Sequence, residues 1–187
     1  GSIQLAINGD SFSLTYPDNV PLADVSLNRA ELNVFSPLGR PGTVIINAND
    51  LSVNNSQLNS ITFASENAGN ILIQANESVT ISGSTIVSNT VGAGTGGNLT
   101  IITERLSLER ANLSVTSSGV GQAGEINLNA DTILLDEASG ITSSSLGFSS
   151  RPAGDAGQIV IQTNTIALDN RSKITTSTNG EALDTST

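Results

Sequence analysis

A repeat of about 27 residues constrains this chain more than any other feature. A glycine opens each copy, at Gly42, Gly69, Gly97, Gly124 and Gly157, giving intervals of 27, 28, 27 and 33 residues. The second and fourth residues after each glycine are apolar: Val44/Ile46, Ile71/Ile73, Leu99/Ile101, Ile126/Leu128 and Ile159/Ile161. Two positions later stands a small residue, Ala48, Ala75, Thr103, Ala130 or Thr163. A second alternating pair follows in every copy: Leu51/Val53, Val79/Ile81, Leu106/Leu108, Ile133/Leu135 and Ile166/Leu168. Seven or eight residues beyond its first member comes a third apolar site, at Leu58, Ile86, Leu113, Ile141 and Ile174. Alternation with period two, β-branched enrichment and breaks rich in Gly, Ser and Asn predict strands, and no stretch has the periodicity of an amphipathic helix.

Short alternating strands also build antiparallel meanders, in which hairpin neighbours must match one another. Here the likeness connects residues one repeat apart. If each copy is a coil of three short strands, equivalent sites stack in parallel ~4.8 Å apart and their inward side chains form continuous ladders. The sequence therefore predicts an all-β parallel β-helix, a solenoid of five to six coils. Its main ladders are Ile73-Ile101-Leu128-Ile161 and Val79-Leu106-Ile133-Ile166.

In the first forty residues, Ile3/Leu5/Ile7, Val25/Leu27 and Leu32/Val34 give the same three-strand pattern as a decorated coil. Residues 1–187 thus read as a single β-helix repeat domain. Loop insertions are expected at 8–22 and at 145–157, the second projecting outward from a corner. The last residues, "TSTNGEALDTST", carry no apolar cap, so the chain reads as a fragment of a longer solenoid. Exposed pairing edges would let such a fragment associate end to end.

Charge and composition exclude several functions. Seven Lys plus Arg stand against seventeen Asp plus Glu, a net charge of −10, which opposes binding to phosphate backbones and argues against a nucleic-acid partner. No run approaches the length of a membrane span. The chain lacks Cys, Met, Trp and His, which removes thiol chemistry, Cys/His metal sites and a Ser/His/Asp triad.

Two acidic columns are the strongest chemical candidates. Glu77, Glu104 and Asp131 precede the second strand of successive coils, and Glu109, Asp136 and Asp169 follow it. Carboxylates one strand spacing apart suit a glycosidase pair or a calcium site. The competing reading is a polar corner, with Arg110, Arg171 and Lys173 offsetting the second column. A glycosidase also needs sugar-stacking aromatics, yet the chain has only Phe12, Tyr16, Phe35, Phe63 and Phe148, and of these only Phe148, in its insertion, belongs to the columns' coils. The glycine-rich "VGAGTGGNLT" opens no helix and lacks a βαβ context, so it reads as a turn rather than a dinucleotide cradle. The Ser/Thr tails "SVTSS", "ITSSS" and "ITTST" are too irregular for an ordered-water or ice-binding array and read as solvated strand and corner positions. No catalytic, cofactor-binding or metal-ligating residue is assigned, and no cofactor is expected.

Segments such as "AGNILIQANESVTISGSTIVSNT", "GGNLTIITERLSLERANLSVTSS" and "AGQIVIQTNTIALDNRSKITTST" resemble the repeats of filamentous-haemagglutinin-like exoproteins of the two-partner secretion family. The resemblance covers roughly residues 37–178. It implies a right-handed parallel β-helix, export of the parent protein through an outer-membrane two-partner transporter, a secreted or cell-surface location, and a structural or adhesive stalk. A host-cell or surface glycan or protein would be the receptor. The sequence thus leads to a non-catalytic stalk. A carbohydrate-active β-helix, or one binding glycans or cations through the acidic columns, is the alternative.

Overall fold

The computed structural model describes residues 4–8, 11–15, 21–36, 42–63, 65–147 and 153–179, and for the first two segments the backbone only. Every regular element among them is a strand. Fifteen follow in order: β1 (Gln4–Asn8), β2 (Ser11–Thr15), β3 (Val25–Asn28), β4 (Glu31–Ser36), β5 (Val44–Asn54), β6 (Gln57–Thr62), β7 (Ile71–Ser82), β8 (Thr85–Thr90), β9 (Leu99–Glu109), β10 (Asn112–Ser118), β11 (Ile126–Asp136), β12 (Gly140–Leu146), β13 (Ile159–Gln162), β14 (Thr165–Leu168) and β15 (Lys173–Asn179).

The strands stack as a parallel β-solenoid. A six-stranded sheet runs β4-β6-β8-β10-β12-β15, and β5-β7-β9-β11 form the centre of a nine-stranded sheet. Pairing joins residues one repeat apart: Ile73 with Ile101, Ile101 with Leu128, and Leu128 with Ile161. The second ladder joins Val79, Leu106, Ile133 and Ile166 in the same way. About four complete turns result, from β5/β6 to β11/β12, with β3/β4 and β13–β15 as shorter rungs at the two ends.

The expected first and second strands of each coil are one continuous bent strand in the four central turns. In β5, Val44, Ile46 and Ala48 point inward, but the next inward residues are Leu51 and Val53, so the alternation slips by one at Asn49–Asp50. That slip is a corner. The 28-residue repeat places its extra residue here: between the paired Ala48/Ala75 and Asp50/Ser78, β5 has only Asn49 where β7 has Asn76 and Glu77.

The turn before the third strand has its own length rule. A single residue with positive φ stands there in the coils with a seven-residue step, Arg29, Asn55, Gly83 or Arg110. The two coils with an eight-residue step have two such residues, Glu137/Ala138 and Asn170/Arg171. Each of these longer turns also closes with a bond across three residues, from Ser139 N to Asp136 O at 3.1 Å and from Ser172 N to Asp169 O at 3.0 Å. The extra residue is absorbed locally, so the strands on either side keep their register.

Two expectations are corrected. Leu5 and Ile7 do not supply the first strand of the amino-terminal coil: β1 pairs antiparallel with β2, and β2 pairs with β5 through Phe12–Val44 and Ser13–Ile45, while Ile3 lies outside the described residues. The stretch 8–22 therefore contains a sheet strand, β2; its residues 9–10 and 16–20 lie outside the described residues. The rest of that amino-terminal coil follows the pattern, since Val25/Leu27 pair with Leu51/Val53 and Leu32 with Leu58. In 145–157, Ser145 and Leu146 belong to β12, and Gly154 N bonds Gly119 O at 3.3 Å. The intervening 148–152 lie outside the described residues.

The second correction concerns the interior. Two of the three Ser/Thr tails are not simply solvated: Ser117 of the first and Ser143, Ser144 and Ser145 of the second are buried, as are Ser88 and Thr90 of β8, whereas the third tail, in β15, has no buried residue. Their hydroxyls cross the narrow interior to backbone carbonyls, Ser88 Oγ to Gly69 O and Ser143 Oγ to Gly124 O at 2.9 Å, and Ser145 Oγ to Gly121 O at 3.1 Å. This crossing explains the opening glycines. A Cβ on Gly97 would lie 2.1 Å from Gly69 O and 2.5 Å from Ser88 Oγ, and one on Gly157 would lie 1.9 Å from Gly124 O and 2.5 Å from Ser143 Oγ. The glycines of "VGAGTGGN" thus serve the close approach of one coil to the next.

Each buried aliphatic side chain stabilises the stack by roughly 1.5–3 kcal/mol. Leu106 is 1% exposed at the centre of its ladder, whereas Ser107 faces outward. Leu106→Asp is expected to destabilise the fold by about 4 kcal/mol or more in chemical denaturation, and Ser107→Asp by less than about 1. Equal effects would contradict the inward and outward assignment.

Candidate functional site

The first acidic column lies on the corner where the long strands bend. Arg105 crosses it, with Nη2 3.9 Å from Glu77 Oε2 and Nη1 3.6 Å from Glu104 Oε2. All three side chains are more than half exposed, so the ladder orders the corner and contributes little stability. Asp131 continues the column: its Oδ1 accepts from Asn164 Nδ2 at 3.4 Å, and its backbone carbonyl accepts from Asn164 N at 3.1 Å.

The second column runs along the turn before the third strand. Glu109 and Asp136 are register partners. Arg110 pairs with Glu109 at 2.6 Å and also with Glu137 of the next coil. Asp136 Oδ1 accepts from Glu137 N and from Asn170 Nδ2, both at 2.7 Å. Asp169 donates its backbone N–H to Leu135 O at 2.8 Å. Sequence reasoning identified Arg110 as a partner of this column but missed Arg105 on the first and Glu137 in the turn.

On these exposed corners Glu77, Asp131 and Asp136 are engaged across coils, and Glu104 and Glu109 pair with the arginine next to them in their own coil. A glycosidase pair needs two carboxyls facing one bond, in environments that set their acidities apart. Among the described residues, no group of three or more Asp or Glu is placed to hold a metal ion. No helix is long and apolar enough to cross a membrane.

A shallow cavity of about 350 Å³ lies at the glycine corner, lined by Thr43, Asn67, Gly69, Asn70, Thr95 and Asn98 among others. Its amides already have a structural task. Asn98 N donates to Asn70 Oδ1 at 2.8 Å, Glu125 N to Asn98 Oδ1 at 3.0 Å, and Thr95 N to Asn67 Oδ1 at 3.0 Å. The asparagines therefore extend the coil-to-coil bonding beyond the strand ends.

Away from the corners the outward-facing strand residues are uncharged among the described residues. On the first side, Ile45, Leu72, Thr100, Asn127 and Val160 form one column, and Asn47, Gln74, Ile102, Asn129 and Gln162 the next. The six-stranded sheet presents Asn33, Asn59, Val87, Ser114, Thr142 and Thr175 beside Phe35, Ile61, Asn89, Thr116, Ser144 and Ser177. Hydroxyls fill only its last three rungs, and there they bond one another, Ser114 to Thr116 at 3.1 Å and Thr142 to Thr175 at 3.3 Å.

On the same sheet lies a feature that sequence reasoning missed. Phe35 and Phe63 are 59% and 53% exposed, with ring centroids 5.4 Å apart and planes at 62°. Parity carries the signal: Leu58, Ser60 and Thr62 face inward, so Ile61 and Phe63 must face out.

No family model, curated protein or solved structure matches the chain. Because the column carboxylates stand on exposed corners and most pair with arginine or asparagine, millimolar calcium is expected to leave the melting temperature unchanged in a thermal scan. A rise that saturates with calcium would overturn this assignment of the columns.

Proposed function

We propose that this chain is a structural and adhesive stalk segment of a longer filamentous exoprotein, non-catalytic in itself. In this reading the parent is exported through an outer-membrane two-partner transporter and displayed at, or released from, the cell surface. The observation that supports it best is the uniformity of the stack: successive coils repeat the same ladders, and the ion pairs among the described residues lie on its corners and turns. Such a body transmits position along its length and offers long flat faces. Resemblance of the repeats to filamentous-haemagglutinin-like exoproteins supports the same reading, and fold alone would not select it.

A retention assay tests the proposal. Beads coated with the chain should be held on cell-surface or polysaccharide-coated layers under flow more strongly than beads coated with an inert protein. The same polysaccharides, incubated with the chain, should release no new reducing ends. Retention at the level of the inert control would contradict adhesion, and turnover above the blank would favour a carbohydrate-active β-helix.

A further inference from the structure

We propose that the outward face of β4 and β6 is a binding site for an uncharged glycan, with Phe35 and Phe63 as its stacking platform and Asn33 and Asn59 as its polar contacts. This inference rests on the adhesive reading and names the chemistry of the partner.

The rings are placed unusually for this chain. Among the described side chains, Phe35 and Phe63 are the only aromatic ones, and they lie on the surface while the core is built from aliphatic residues. Single exposed apolar residues are ordinary, but here two rings meet edge to face, one on β4 and one just past the end of β6, beside the outward Ile61. Their position is fixed by the ladder, because Phe35 and Ile61 are register partners and Phe63 N bonds Ser36 O at 3.4 Å.

Polar groups beside the rings are held in place before any ligand arrives. Asn59 Nδ2 donates to Asn33 Oδ1 at 2.9 Å, and Asn33 Nδ2 donates to Glu31 Oε1 at 2.6 Å. An amide has two N–H donors and a carbonyl with two lone pairs, so each side chain in this relay retains capacity for a hydroxyl. Fixed amides next to an apolar platform match a pyranose, which has a C–H face for an aromatic ring and an equatorial rim of hydroxyls.

The surroundings select the ligand class. No charged side chain stands in the Asn33 and Phe35 columns along the whole sheet, the charges of this face being those of Glu31 and Lys173 in the turn-side column. Among the described residues of these columns, an anionic sulfated or sialylated sugar meets no cation. A small apolar ligand would need a concavity to remove it from water, and this surface is flat sheet. A protein partner needs on the order of 800 Å² of complementary surface on each side, far more than two rings flanked by amides provide.

The test uses the whole chain on an array of neutral hexose and N-acetylhexosamine oligosaccharides, with sulfated and sialylated counterparts alongside. Binding to a neutral subset is expected. Phe35→Ala and Phe63→Ala should each weaken it by about tenfold or more, and Phe63→Tyr should retain it. Both alanine variants should keep the parent's melting temperature, because the rings are outside the core. Binding confined to anionic glycans, or neutral binding that survives both alanine substitutions, would overturn the proposal. So would a dimer in analytical ultracentrifugation that either substitution abolishes, since a second copy would then be the occupant. Absence of all glycan binding together with bead retention would remove this inference and leave the stalk reading standing.

Discussion

A coil of 27 residues has no way to bury its own apolar side chains or to pair its own backbone. Nearly every strand residue here bonds the equivalent residue one coil before or after, and the fold depends on that registration. Once the backbone is in register, every inward side chain meets its own counterpart above and below. The aliphatic ladders, the serine and threonine columns and the asparagine relay at the glycine corner all follow from this one condition. Any residue that breaks the step must be absorbed within a corner or turn. That is where the structure puts it, at Asn76–Glu77 and at the paired left-handed residues Glu137/Ala138 and Asn170/Arg171.

The interior is not uniformly oily, and the reason is geometric. At the glycine corner the chain leaves its sheet, and carbonyl groups such as Gly69 O and Gly124 O turn toward the narrow cavity between the walls. A buried acceptor without a donor is costly, so Ser88 and Ser143 reach across to supply one. Short hydroxylated side chains also suit the small cross-section, which the close contacts around Gly97 and Gly157 limit further. Polar residues inside and glycines opposite them are two parts of one packing solution.

Much of this was legible in the sequence because periodicity survives without knowledge of the environment. The spacing of Ile73, Ile101 and Leu128 was enough to place them on one ladder. Residue polarity misled where burial and hydrogen bonding act together: Ser117, Ser143 and Ser145 read as solvated although alternate positions in their strands are inward. The β1–β2 hairpin was missed even though Asn8-Gly9-Asp10 carries a turn signal, because Ile3/Leu5/Ile7 matched the repeat equally well. Arg105 on the first acidic column needed the corner slip, and the Phe35–Phe63 contact needed both the parity of β6 and the register with β4. Neither lies on the three inward lines that the repeat defines.

The central claim is that residues one repeat apart are neighbours, whereas consecutive strands within a coil lie on different sides. The absence of cysteine makes this directly measurable by nitroxide labelling. Thr80 and Ser107 are outward register partners on adjacent strands, and Ser114 follows Ser107 in sequence but belongs to the other sheet. Thr80→Cys with Ser107→Cys should give strong dipolar broadening of the spin-label spectrum, as expected for neighbours ~5 Å apart along the stack. Ser107→Cys with Ser114→Cys should give the sum of the two single-label spectra. Broadening in the second pair and none in the first would signify an antiparallel meander and contradict the solenoid.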